Sequence, residues 1–137
     1  MQKRIKRPQS NEGDRIRAPR SSKGSRQSLH PKSSFEKMSS SHSVFECETE
    51  EKAALADTLY KLGQMTWAQI MQTDRHKSGC ETISLEEIKA PGKDAITPDS
   101  KVLAFRFSGM KPMIGYRLDE TFYVVWLDRA FKIYGHS

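Results

Sequence analysis

The stretch KVLAFRFSGMKPMIGYRLDETFYVVWLDRAFKIYGHS, residues 101–137, decides the fold. KVLAFRFS alternates as a strand does, with Leu103, Phe105 and Phe107 on one face. MIGYRL follows a turn at GMKP, and TFYVVWLD follows a turn at Asp119 and Glu120. TFYVVWLD is apolar on both sides, which predicts a strand that is covered on both faces. With FKIYGH as the last strand, these runs predict an antiparallel meander.

Strict alternation also assigns each side chain in this stretch to a face. It predicts that Val102, Ala104 and Arg106 share a face opposite Leu103. In TFYVVWLD it predicts that Trp126 lies with Val124, on the side opposite Leu127. In the final strand one face would hold Lys132, Tyr134 and His136.

Upstream of the meander, the pattern predicts a hairpin and two helices. SSFEKM and SVFECE flank a polar turn, which predicts a hairpin over 34–48. EEKAALADTLYKL, 50–62, has a helical apolar stripe that includes Leu55 and Tyr60, with Thr49 as its cap. TWAQ predicts a capping box at Thr66 and a second helix, and three connecting residues favour a helical hairpin. ETISLEEI predicts a strand, and 90–100 a loop. The class is α+β, with the helices on one sheet face.

The net charge of +6 is unevenly distributed. Residues 1–33 hold ten Lys and Arg against two acidic residues and almost no large apolar side chains, which predicts a disordered basic tail before a domain at 34–137. Such a tail either binds phosphates of nucleic acid or ribosome, or is a solvated leader; a transit peptide is a third alternative. Cys47 and Cys80 form no CxxC pair, which argues against zinc and favours a reducing cytoplasm. No apolar run approaches a membrane span.

The order of several short pieces resembles the RelE/ParE superfamily of bacterial type II toxin–antitoxin toxins, and most of all its ParE-like toxin family. The pieces are QMTWAQI, RHKSG, FRFSG, MIGYR, FYVVWLD and FKIYGH, within residues 34–137. The resemblance implies an antitoxin partner and one of two activities. One branch of the superfamily cleaves mRNA on the ribosome, and the other inhibits DNA gyrase without cutting anything.

Cleavage of RNA through its own 2′-OH needs a proton acceptor, cations on the phosphate and a donor to the leaving oxygen, and it needs no metal or other cofactor. The resemblance assigns positions near the scissile phosphate to Tyr134 and His136, with His136 as acid or base. Lys132, Arg106 and Arg117 are the predicted cations that stabilise the transition state. Further predicted contacts to RNA phosphate are Lys111, Arg129, Arg75, His76 and Lys77.

Each of these residues also has a structural interpretation. For Lys132 and Arg129, an equally good interpretation is a simple solvated charge. Tyr134 can pack its ring on the sheet, and Arg106 can pair with an acid such as Asp128. The sequence therefore favours a cytoplasmic, ribosome-dependent mRNA endonuclease toxin. It leaves open a gyrase-directed inhibitor and a non-toxic binding module of the same fold.

Overall fold

Five strands form one mixed sheet, with two helices on one face. In this computed structural model, residues 26–72 and 80–135 are described. The strands are β1 (Lys32–Ser34), β2 (Glu81–Ile83), β3 (Val102–Ser108), β4 (Lys111–Leu118) and β5 (Thr121–Leu127), and the helices are α1 (Thr49–Gly63) and α2 (Trp67–Gln72). The order of the strands in the sheet is β1-β5-β4-β3-β2. The α+β class is confirmed. No helix among the described residues has the length and apolar character to cross a membrane.

Three strands of the predicted meander are present as β3, β4 and β5, and β2 extends it on the other side of β3, with each strand antiparallel to the next. Its two tightest turns begin at Gly109 and Asp119, which have φ of 59° and 57°. Both residue types tolerate the left-handed region better than most, glycine because it lacks a Cβ and aspartate because its short side chain bonds locally. β1 adds a parallel strand beside β5, so β5 is an interior strand as its sequence predicts.

Apolar side chains are buried on both faces of the sheet. On one face Leu55, Trp67 and Ile70 of the helices pack with β3 residues such as Phe105. On the other face there is no α-helix among the described residues. The cover comes from residues 133–134 and from the loop after β2, which contains two 3₁₀ turns, Leu85–Glu87 and Lys93–Ala95. Two covered faces explain why β3, β4 and β5 are all rich in apolar residues.

A β-bulge at Val125 reverses the alternation at the end of β5. Ile114 pairs with Trp126 and Gly115 with Val124, so Val125 is an extra residue in β5. Trp126 therefore joins the face without helices and Leu127 the helix face, and the sides predicted for both are wrong. Gly115 permits the irregular pairing, because a Cβ there would lie 1.8 Å from the Tyr123 carbonyl oxygen.

The helices follow their sequence signals closely. α1 extends one residue beyond each end of the predicted 50–62, and its N-cap is Glu48 instead of Thr49. Tyr60 is exposed, because the buried stripe is narrower than predicted. The Thr66 box is confirmed: the Gln69 amide donates to the Thr66 hydroxyl at 3.1 Å, and the Thr66 amide donates to the Gln69 side chain at 2.9 Å.

The predicted hairpin over 34–48 is wrong. That segment holds the end of β1 and two short 3₁₀ turns, Ser40–His42 and Val44–Glu46. Serine side chains form hydrogen bonds to backbone within the segment. The Ser43 hydroxyl, for example, accepts a hydrogen bond from the Phe45 amide, and such bonds compete with strand pairing. The ordered domain also includes residues 26–33, because β1 starts at Lys32 and the Leu29 carbonyl accepts the Trp67 amide. Residues 1–25, the rest of the predicted tail, lie outside the described residues.

The predicted last strand over FKIYGH is also wrong for the described residues 131–135. Asp128, which is buried, accepts the Lys132 amide on Oδ1 and the Ile133 amide on Oδ2, both at 2.9 Å. Phe131 has φ of 62°, which turns the chain. Both amides are therefore satisfied by one carboxylate rather than by a neighbouring strand, and Ile133 and Tyr134 are buried together.

Candidate functional site

One end of the sheet collects five of the six predicted site residues that the structure describes. β3 ends there at Ser108, opposite the start of β4 at Lys111, and β5 ends beside it at Leu127, opposite Met113. The Asp128 amide continues the pairing by donating to the Pro112 carbonyl. We call this edge the site end. It holds Arg106, Lys111, Arg129, Lys132 and Tyr134.

Tyr134 is a buried hydrogen-bond donor at this end. Its ring packs in the apolar cluster on the face without helices and is only 6% exposed. Its hydroxyl donates to Glu81 Oε1 at 3.2 Å. Burial raises the pKa of the phenol, the nearby Glu81 carboxylate raises it further, and Arg106 partly opposes both. The phenol therefore stays protonated at neutral pH and can donate a proton or hydrogen bond, but it is a poor base.

Arg106 is a half-buried cation on the same face as Tyr134. It follows Val102 and Ala104 along β3, as alternation predicts. Among residues 26–72 and 80–135, no acid forms an ion pair with it, so the pairing with Asp128 that was considered is not found there. Its guanidinium is close enough to Tyr134 to lower the pKa of the phenol. Arg106 thus offers its full charge and donors to an anion.

Lys111 and Arg129 are held by one buried carboxylate, Glu51, at the start of α1. Lys111 Nζ lies 2.5 Å from Glu51 Oε2, and Arg129 Nε lies 2.7 Å from Glu51 Oε1. The Glu48 amide also donates to Glu51 Oε1, at 2.7 Å. The hydrogen bond from Lys111, with those from Glu48 and Arg129, lowers the pKa of Glu51 to about 2. Arg129 Nη2 also lies 3.8 Å from Glu48 Oε2, so two cations meet two carboxylates in this cluster. About a third of each cationic side chain is exposed.

Arg117 does not belong to this site. Period-2 alternation puts it on the helix face, and it pairs with Phe122 near the opposite end of β4. Its guanidinium lies 4.3 Å from the centre of the Trp67 ring, and its Nε donates to the Asp119 carbonyl at 2.6 Å. The structure therefore does not bring Arg117 together with Arg106, and its contact here is a cation–π pair with Trp67.

Lys132 and Tyr134 do not share a polar face, since the segment is not a strand. Lys132 is exposed and Tyr134 is buried. Four other predicted residues, His136, Arg75, His76 and Lys77, lie outside the described residues. Within the described ranges, no group of three His, Cys, Asp or Glu side chains is placed to hold a metal ion.

The sequence did not predict a place at the site end for two carboxylates, Glu81 and Glu51. Glu81 opens β2 and pairs across the sheet with Ala104, next to Arg106 along β3. A single acid at the start of a short strand gives no periodic signal, so only the strand order reveals it. Glu51 lies in the first turn of α1, where an acidic side chain interacts favourably with the helix dipole. That accounts for its place in the helix but not for its burial.

Both free cysteines lie near carboxylates of the site end, Cys47 near Glu51 and Cys80 next to Glu81. Cys47 is buried, Cys80 is half-buried, and no disulfide joins them. Burial raises the pKa of both thiols, so neither is an activated nucleophile. Comparisons of the chain with protein-family models, with curated proteins and with solved structures returned no match.

Proposed function

We propose that this chain is a RelE/ParE-type toxin that cleaves mRNA on the ribosome, without a metal ion, and is neutralised by an antitoxin protein. Its ribosome and mRNA targets would place it in the cytoplasm. The proposal is supported by the residues that resemble the superfamily and by the cations and protonated phenol at the site end.

Arg106 is the observation that carries this proposal. A guanidinium that is half-buried in an apolar strand loses hydration, and that loss is normally offset by an acidic partner. No described residue supplies one to Arg106. A phosphate group would be that partner, and the charge that builds on its oxygens during cleavage strengthens the contact in the transition state.

The neighbours of Arg106 suit the proton transfers. Tyr134, which stays protonated, would donate to the leaving 5′-oxygen or to a phosphate oxygen. Glu81 already accepts from the phenol and is a candidate to take the 2′-OH proton. His136 remains the predicted alternative for that role. Lys111 and Arg129 would contact the RNA backbone on either side, with Glu51 fixing their positions.

A second function, binding without cleavage, is favoured by two specific observations. Tyr134 is almost entirely buried with its hydroxyl bonded, and Lys111 and Arg129 already share Glu51. Both features are equally compatible with a gyrase-directed inhibitor or a non-toxic module of the same fold. Separating these alternatives requires a readout of the chemistry and not of toxicity alone.

The test induces the full chain in bacteria without an antitoxin, and compares wild type with Arg106→Gln. Transcript 5′ ends and an SOS reporter are measured together. Loss of one donor that stabilises developing charge typically slows a reaction on the order of 10²-fold. We therefore expect new transcript ends with wild type and almost none with Arg106→Gln, at equal soluble protein and unchanged melting temperature.

Arg26→Gln is the matched control. Arg26 pairs with Asp119 at the opposite end of the sheet, so this variant removes the same charge and should cleave as wild type does. Cleavage that survives in Arg106→Gln contradicts the proposal. SOS induction with intact transcripts supports the gyrase alternative, and the absence of any growth defect supports the non-toxic module.

A further inference from the structure

A small cleft opens beside the site end, between the two 3₁₀ turns after β1 and the chain that follows β5. Its volume is about 240 Å³. The charged and titratable side chains that line it are His42, Glu46, Lys89, Asp128, Arg129 and Lys132. Among the described residues, no Phe, Tyr or Trp ring is part of its wall. The wall therefore combines charged side chains with apolar ones such as Leu127 and Ile133, and these residues offer no aromatic platform on which a base could stack.

The charged side chains that line the cleft differ in their exposure to solvent and in their partners. Lys89 and Lys132 are both exposed, and neither forms an ion pair with a described residue. Asp128 is buried, and its carboxylate accepts hydrogen bonds from two backbone amides. Glu46, on the rim, is the other acid in the wall.

Two contacts fix the segments that carry these cations. The Lys89 amide donates to the Ile133 carbonyl at 2.7 Å, which joins the loop after β2 to the chain that bears Lys132. The Ser41 hydroxyl and His42 Nδ1 are 2.9 Å apart, which orients the imidazole. Backbones that are held in place reduce the entropy lost when lysines close on a ligand.

We propose that this cleft binds a backbone phosphate of single-stranded RNA, adjacent to the phosphate at Arg106. Lys89 and Lys132 would supply the charge, and His42 a further hydrogen bond. The inference rests on the proposed function for its ligand. Ile133 lines the cleft and is followed directly by Tyr134, so a strand of RNA leaving the phenol would pass over it. Contacts of this kind position the chain and do not read bases.

The test uses the full chain and a 2′-O-methyl tetranucleotide, which cannot be cleaved through a 2′-OH. Binding is followed by NMR amide shifts from 50 to 500 mM salt, for wild type and for Lys89→Gln with Lys132→Gln. Loss of one phosphate contact to a single strand lowers the salt slope by about 0.7, so the affinity gap between the two proteins should narrow roughly 5-fold over that range. Shifts should concentrate at residues 42, 89 and 132.

A matched double variant, Lys61→Gln with Lys101→Gln, removes the same charge elsewhere. Lys61 is exposed in the last turn of α1, and Lys101 borders a separate cleft with Arg117. It should bind as wild type does. Equal binding by both double variants, or no binding by wild type, overturns the inference. Inorganic phosphate that binds as tightly as the oligonucleotide shows a free-phosphate site and overturns the RNA assignment.

The tetranucleotide cannot react, so this outcome is separate from that of the cleavage assay. Binding through Lys89 and Lys132 with no transcript cleavage refutes the nuclease and leaves the subsite standing. Transcript cleavage by wild type, together with unaltered oligonucleotide binding by the Lys89 and Lys132 variant, supports the nuclease and refutes the subsite.

Discussion

Replacing Glu51 by Gln should destabilise the fold at neutral pH and much less in acid. A carboxyl whose pKa falls from 4.5 to about 2 gains roughly 3 kcal/mol of stabilisation in its charged form, at about 1.36 kcal/mol per pKa unit. Because Lys111 and Arg129 remain about a third exposed, solvent screening reduces this. We therefore expect Glu51→Gln to lower the free energy of unfolding by about 2 kcal/mol at pH 7.

The pH dependence follows from the direction of the pKa change. The folded protein holds the Glu51 pKa below its unfolded value, so the stabilisation is complete above about pH 5. It is lost as pH falls from 4.5 toward 2, because over that range the unfolded chain binds a proton at Glu51 that the folded protein does not. At pH 3.5 about half of the difference between wild type and variant should remain.

Urea unfolding at pH 7, 5 and 3.5, followed by tryptophan fluorescence, measures these differences. Glu50→Gln is the matched control, since Glu50 is an exposed neighbour in α1 with no ion pair among the described residues. It should cost under about 0.5 kcal/mol at every pH. A Glu51→Gln penalty that equals the control at pH 7, or that stays constant down to pH 3.5, refutes the buried ion-pair account.

Two further predictions concern packing. Gly115→Ala should lower the free energy of unfolding by roughly 3 kcal/mol or more, because its Cβ would overlap the Tyr123 carbonyl oxygen. As a control, a Cβ at Gly63 at the end of α1 meets nothing within 4 Å, so Gly63→Ala should change stability by under about 1 kcal/mol. The urea midpoints of the two variants measure this difference. Trp126→Phe should cost roughly 1–3 kcal/mol, because the indole N–H donates to the Pro91 carbonyl at 2.7 Å; a melting temperature equal to wild type contradicts this reading of the contact.

The meander was predictable because each of its strands carries its own signal. Apolar alternation defines β3, and short turn segments separate the strands that follow. The bulge at Val125 was not, because an inserted residue leaves the local pattern apolar on both sides. The residue that accompanies the bulge in the sequence is Gly115 on the partner strand. A glycine inside a strand has several possible causes, so it does not by itself predict a bulge.

The N-terminal part was harder to predict, because its structure depends on distant partners. β1 is only three residues long and exists through pairing with β5, about ninety residues away in the chain. The serines between β1 and α1 satisfy backbone amides locally, a behaviour that apolar periodicity does not detect. The cap of α2, in contrast, depends on two residues three positions apart and was predicted correctly, whereas α1 is capped by Glu48, one residue before the predicted Thr49.

The site shows the same division between local and distant causes. Alternation in FKIYGH suggested a polar face of Lys132 and Tyr134, but alternation has that meaning only where the backbone pairs as a strand. Asp128 takes the amides that such pairing would need, and the tyrosine turns into the core. The ion pairs of Glu51 join residues 60 and 78 positions apart, so no window of sequence contains both partners. Cations are therefore easy to nominate from sequence, while the carboxylates that decide which of them stay available for phosphate appear only in the folded chain.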